Sequence, residues 1–404
     1  GVSTVGEASS GFNVRGGNAD QNLILLDEAP VYSSSHLFGF FSIFNADAVR
    51  DVTLYKGGMP SNYGGRLSSV LDVRQKEGNS ERFAAQGGIG LLSSRLTVEG
   101  PLVKRKASFM VSGRRSYFDL FLPFTGNLEL QNTTIYFYDV NAKVNAQLSE
   151  KDRVFASMYF GRDQFGAQDL FDFGWGNWTS TLRWNRAVNS KLFFNATAVY
   201  SDYTYSLGTP EDAVPSFKLD SRIQNTVTNV GWTYYASNRH KLDWGVQNTY
   251  YVFSPGKITG AFDIALSKEY ANESALYFSD DIKVTERLSA TTGLRYSGFA
   301  NLGPRTVYTY ADPRYPTTTS IVDTTVFARG DVVKTFIGLA GFEPRLALNY
   351  EVGPKASLKL SYNRSRQYIH LISNNTTATP VNVWRPAGTY IDPATVDQVA
   401  VGVV

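Results

Sequence analysis

The sequence predicts an all-β transmembrane barrel over residues 81–404, preceded by a small α+β unit over residues 1–80. Three observations lead there. Apolar and polar residues alternate with a period of two from about Arg82 onward, the connections between alternating runs sort into short and long, and no run of about 18 apolar residues exists to cross a membrane as a helix.

The alternation is plainest in Ile135 to Leu148. Tyr136, Tyr138, Val140, Ala142, Val144, Ala146 and Leu148 fall on one face, opposite Asp139, Asn141, Lys143, Asn145 and Gln147. Further runs repeat it: Leu192, Phe194, Ala196, Ala198 and Tyr200 oppose Asn195, Thr197 and Ser201. Ala356, Leu358, Leu360 and Tyr362 oppose Ser357, Lys359, Ser361 and Asn363. Apolar-out, polar-in alternation sustained over about 10 residues suits a strand with lipid on one side and a wet lumen on the other. In Ser274–Val284 the apolar face includes Asp280, which blurs the register there.

A soluble β-sandwich also alternates, but its connections have no reason to sort by length. Short polar turns recur near Val103–Lys106, Ser149–Asp152, Asn189–Lys191, Ser237–His240, Thr285–Arg287 and Gly353–Lys355. Long connections fall between them, near Asp119–Thr133, Gly161–Gly174, Asp202–Ser216, Ser254–Glu269, Phe299–Phe336 and Arg366–Pro393. Outer-membrane barrels sort their turns and loops this way. The strands number about 13–14, ending at 396–404. The last of them has no closing partner, so the chain reads as incomplete at both ends.

Composition agrees. Aromatics reach 14% and charged residues only 19%, a balance that favours pleated surfaces. A net charge of +3 with no Lys/Arg run excludes a nucleic-acid partner. Cysteine is absent, which removes disulfides and thiolate chemistry.

The first 80 residues behave differently. The run Leu23–Leu26 within Asn22–Ala29 reads as a fully buried strand, and glycines punctuate the segment as in a compact unit with tight turns. Phe44–Arg50 reads as a short helix, capped by Asn45 with Asp47 at its positive end.

Gly11–Leu26 (GFNVRGGNADQNLILL), Ala48–Pro60 (AVRDVTLYKGGMP) and Asn62–Lys76 (NYGGRLSSVLDVRQK) resemble the plug of TonB-dependent receptors, in the version common in the Bacteroidetes. Gly87–Gly113, with its Glu99-Gly100-Pro101-Leu102 turn, resembles the family's first barrel strands. The SusC-like sugar importers are near relatives, although Leu23–Val31 departs from their usual strand. The resemblance implies a plug seated inside a 22-stranded outer-membrane barrel. It also implies a TonB-type energy-coupling protein as partner, reached through a segment that does not appear in this sequence. A surface lipoprotein or other outer-membrane subunits complete the partners it suggests.

Weighed residue by residue, the plug offers two kinds of candidate. Arg15 and Arg66 lie in glycine-rich turns. They read either as plug–barrel contacts, each pairing with wall carboxylates, or as turn arginines in luminal water. The loop Tyr32–Phe44 (YSSSHLFGFFSIF) reads either as an outward substrate site through Tyr32, His36, Phe38, Phe40 and Phe41, or as the plug's own core. Gly87-Gly88-Ile89-Gly90 has no following helix and reads as a strand. His36, His240 and His370 are too dispersed for a metal site, so no cofactor is expected. Asp280 and Asp281 adjoin in a strand and face opposite sides, so they cannot share acid–base work, and no enzyme is expected. The function expected is TonB-dependent import of a scarce, bulky nutrient (a siderophore, oligosaccharide or peptide). The rival is a transport-inactive barrel that serves as a scaffold.

Overall fold

The structure is a computed structural model and describes residues 2–4, 12–167, 170–209, 216–260, 264–312, 314, 316–372 and 383–403. Two bodies make it up. The first contains a four-stranded sheet: β1 (Asn22–Leu26), β2 (Ala29–Pro30), β3 (Val49–Tyr55) and β4 (Ser69–Gln75), in the order β2-β1-β4-β3. β1 and β4 run parallel, and their Leu/Ile/Val runs are fitted to burial on both faces. One face packs Leu26, Val31, Ile43 and Val73 together, with the wall residue Tyr159 in the same cluster. The other gathers Leu23, Leu25, Tyr55, Met59 and Tyr63.

The second body is a path of 14 antiparallel strands, each paired with the next in the chain. They are β5 (Ala84–Ile89), β6 (Ser93–Val103), β7 (Ala107–Ser116), β8 (Thr133–Gln147), β9 (Asp152–Ala167), β10 (Phe171–Ala187) and β11 (Leu192–Gly208). There follow β12 (Phe217–Tyr235), β13 (His240–Gly260), β14 (Glu269–Lys283), β15 (Leu288–Leu302), β16 (Phe342–Gly353), β17 (Ala356–Gln367) and β18 (Ala394–Val403).

One pairing row shows how the wall is tilted. It runs Arg186↔Phe194↔Trp232↔Trp244↔Phe278↔Leu294. Measured from the short-turn end of each strand, these residues stand one, two, three, four, five and six positions up. A stagger of one residue per strand is the shear that a barrel of tilted strands requires. Outward aromatics mark the two edges of the lipid band. Trp184, Phe194, Trp232 and Trp244 follow one another at 5.3, 5.6 and 6.2 Å near the short turns. Tyr138–Phe160 and Trp178–Tyr200, at 5.9 and 6.0 Å, lie toward the long loops. Such girdles belong at the two membrane interfaces.

The structure corrects several readings. The Phe44–Arg50 helix is a single turn: Asn45 Oδ1 accepts from the Asp47 N–H, its carbonyl accepts from Ala48 and Val49, and β3 begins at once. The strand at Leu23–Leu26 is present as Asn22–Leu26, but Leu23 and Ile24 are only half-buried, and Asp27–Glu28 then form a two-residue hairpin turn with φ of 46° and 72°. The long connections Gly161–Gly174, Asp202–Ser216 and Ser254–Glu269 begin as strand, since β9, β11 and β13 continue to Ala167, Gly208 and Gly260. Within Phe299–Phe336, Arg305–Tyr310 pairs with Ile321–Phe327 as a separate ribbon. Asp280 does point outward, but at the short-turn edge, where the His240 ring meets it at 2.8 Å. The readings at Gly11 and Val404 fall outside the described residues.

Candidate functional site

The interface between plug and wall is where most chemistry-bearing side chains meet. The Asp27–Glu28 turn favours glycine or asparagine, because both residues sit at positive φ. It carries two carboxylates instead, and the wall catches each. Lys143 of β8 reaches Asp27 at 2.9 Å and the Gln75 carbonyl at 3.0 Å; Arg183 of β10 reaches Glu28 at 3.0 Å. Burial alone would raise the Glu28 pKa, but Arg74 and Arg183 hold it below the ordinary carboxylate range.

His36 anchors the next loop. It is 1% exposed, with Nδ1 2.7 Å from Asp163 and Nε2 3.3 Å from Asp139, both on wall strands, and its ring stacks on Phe137 at 4.3 Å. The Leu37 N–H donates to Asp163 at 2.8 Å, and Arg114 bridges Asp139 to the Ser42 carbonyl. Burial pushes the His36 pKa down, yet the hydrogen bonds and charges of Asp139 and Asp163 outweigh it, and the net direction is up.

On the opposite flank the loop Met59–Arg66 lies against β15 and β16. Arg295 donates to the Asn62 carbonyl at 3.2 Å and Arg345 to the Met59 carbonyl at 3.4 Å and to Pro60. Glycine is needed here: a Cβ on Gly64 would overlap the Arg295 guanidinium, and Gly65 has φ 77° with Glu273 3.2 Å from where a Cβ would stand. Gln398 and Gln367 add bonds to the Leu67 carbonyl and to Asp20.

The wall supplies most of the cations and the plug the carboxylates and carbonyls. Among the described residues neither Arg15 nor Arg66 forms an ion pair with a wall carboxylate. Arg15 is exposed and lies against Gly57. Arg66 is 6% exposed, stacks its guanidinium 5.2 Å over Trp384 and leaves Nε without a partner.

The five aromatic and histidine candidates separate. His36 is enclosed, so it fastens the plug and presents no surface to a ligand. Tyr32 is half-buried: its hydroxyl donates to Asn225 at 3.1 Å, its N–H to Asn177 at 3.3 Å, and burial raises its pKa. Phe41 packs between Phe137 and Phe118. Phe38 and Phe40 remain 48% and 67% exposed. Phe38 holds φ 58° and meets Trp175 and Phe165 of the wall at 4.8 and 5.4 Å. Sequence reasoning missed Lys143, Arg183, Arg295, Arg345, Asp139 and Asp163. Each is a charge on the luminal face of a strand whose other inward residues are mostly neutral, and that is the signal that would have found them.

A small plug sheet bonded to the inner face of a long run of tilted antiparallel strands defines a plugged β-barrel. Residues 111–404 match the family described as TonB dependent receptor-like, beta-barrel, and residues 1–69 match the TonB-dependent Receptor Plug Domain. The chain belongs to the TonB-dependent receptors, whose members are transporters and not enzymes. Similar solved structures include the siderophore receptor PirA from Acinetobacter baumannii, 14% identical with TM-score 0.66, covering 100% of this chain and 64% of that one. A mutant of the ferric enterobactin receptor from Pseudomonas aeruginosa is 14% identical with TM-score 0.67, at the same coverages. The copper transporter OprC is 11% identical with TM-score 0.67, covering 95% of this chain and 62% of that one. The chain thus spans less than two thirds of their length, and at these identities the likeness shows the fold alone. No curated protein matches.

Proposed function

We propose that the full-length protein resides in the outer membrane of a Gram-negative cell, of the Bacteroidetes type, and imports a scarce nutrient with energy from a TonB-type coupling protein. The observation that carries this reading is a plug held across the lumen by buried polar contacts on two flanks, an arrangement without purpose in a passive pore. The similar structures include siderophore receptors and a copper transporter, so iron chelates and copper stand beside oligosaccharides among the cargoes to test. Uptake of a panel of ferric siderophores, copper and oligosaccharides should include one that stops when the coupling protein is deleted while surface binding persists. Energy-independent uptake would indicate a porin. No uptake of any panel member, together with a stably co-purifying outer-membrane protein, would indicate the scaffold.

Phe38 and Phe40 are the ligand contacts we assign at the plug apex. Large exposed apolar groups beside wall aromatics mark a binding surface. Changing both to Ala should weaken binding of the cognate panel member by about 1–3 kcal/mol, a usual loss for truncated contacts. Heat-modifiability on gels should be unchanged, because the wall strands pair without them. Unchanged affinity would remove both residues from the site.

A further inference from the structure

The plug is fastened unevenly around its circumference. Toward β6–β10 it is held by Ser112 on Asn45 (2.8 Å), Lys143 on Asp27, Asn141 on Gln75 (3.2 Å) and the His36 cluster. Toward β15–β18 it is held by Arg295, Arg345, Gln367 and Gln398. Between these flanks the contacts thin out. β11 gives Ser201 to the Pro30 carbonyl at 2.6 Å and Thr197 to Glu28, and β12 gives Asn225 to Tyr32 at 3.1 Å. Among the described residues no side chain of β13 or β14 hydrogen-bonds or ion-pairs to the plug.

That loose flank coincides with a cavity of about 600 Å³ between the plug sheet and β10–β15. Its wall side is a ladder of neutral polar groups, Thr197, Asn229, Gln247, Thr249 and Ser279, in which no single charge dominates. The charges that border it are largely neutralised in place: Glu28 by Arg74 and Arg183, Lys241 by Asp243 (2.7 Å) and Asp281 (3.1 Å) at the short-turn end, and the buried Glu273 by the Tyr251 hydroxyl (3.2 Å) and the nearby Arg295 and Arg66. The upper end is closed by Tyr32 and by Arg66, whose buried Nε has no partner. Many weak hydrogen-bonding sites in series let a polar solute enter and leave, where one deep charged well would hold it.

We propose that this flank is the transit route: a hydrophilic solute rich in hydroxyl or amide groups passes between the plug and β11–β14. Tyr32 and Arg66 form the upper gate, and the plug stays fastened on both other flanks. The inference rests on the import reading, and its test separates the two.

The native sequence contains no cysteine, so single-cysteine variants of the full-length protein report without background. Thr249→Cys and Ser279→Cys sample the cavity, while Thr97→Cys and Ser365→Cys sample the fastened flanks, where the native residues are 3% and 0% exposed. Cells are treated from outside with membrane-impermeant fluorescein maleimide, with the inner membrane energised or de-energised. The expected result is labelling at both cavity positions that rises about tenfold on energising, as a population shift toward an open gate, with neither flank position changing. Equal labelling of all four positions on energising would overturn the route and leave import standing, because the plug would then leave as a whole. Full labelling at the cavity positions without energy would overturn the gate. No labelling at any position in energised cells would overturn the route and the import reading together.

Discussion

Replacing Arg345 with Met should free the plug loop Met59–Arg66 from the wall and cost about 3–5 kcal/mol, the usual penalty for breaking a buried pair from one side. Arg345 is 6% exposed and Glu343 is 0% exposed, and they meet at 3.2 Å. Without the guanidinium, Glu343 keeps only the Ser297 hydroxyl at 2.6 Å, and the Met59 and Pro60 carbonyls lose their donor. Adding Glu343→Gln should recover most of the loss, since the uncompensated charge goes with it. The measurements are thermal unfolding of the plug in detergent and exclusion of large antibiotics by intact cells. A shift equivalent to less than about 1 kcal/mol, the range of an exposed pair, would show that the carbonyl contacts are incidental.

The second large effect depends on pH. Protonated His36 and Arg114 face the carboxylates of Asp139 and Asp163, two cations against two anions, with the Tyr159 hydroxyl 3.3 Å from Nε2. The His36 pKa lies above its ordinary value of 6.5. Its charged contacts therefore stabilise the docked loop fully below about pH 6.5 and lose that contribution as pH rises through the raised value. The protection of residues 33–44 against hydrogen exchange, taken relative to the intrinsic rate at each pH from 6 to 9, should fall toward alkaline pH in the native protein. His36→Gln should abolish that fall and leave protection uniformly low, because two buried carboxylates then share only Arg114. A variant with the native pH profile would move the sensitivity to another group.

The wall was legible because lipid imposes a period-two pattern on every residue that touches it. β8 shows this over its whole length, from Tyr136 to Ala146. The pattern fades where lipid ends, so the upper parts of β9, β11 and β13 looked like loops although their hydrogen bonding continues. Asn45 gave a true capping signal, but tertiary pairing of β3 with β4 claimed the residues after the first turn. The apex loop could not be sorted from sequence. Tyr32, His36, Phe38, Phe40 and Phe41 are alike in type, and only the wall residues opposite decide which are buried. His36 finds Asp163 across 127 positions of chain, a separation at which no local pattern survives.

Those separations also order the assembly of the molecule. Every wall strand pairs with the next wall strand in the chain, so the sheet can grow by successive antiparallel hairpins, with long connections to close at β15–β16 and β17–β18. The plug's attachments are graded in chain distance: Asn45 to Ser112 spans 67 residues, Asp27 to Lys143 spans 116, Met59 to Arg345 spans 286 and Asp20 to Gln367 spans 347. The entropic cost of closing such loops rises only with the logarithm of their length, so availability of the partner strand sets the sequence of events more than the cost does. In chain order the β6–β10 anchors become available to the plug before the β15–β18 contacts, so a plug paired only with the earlier strands is held on one flank.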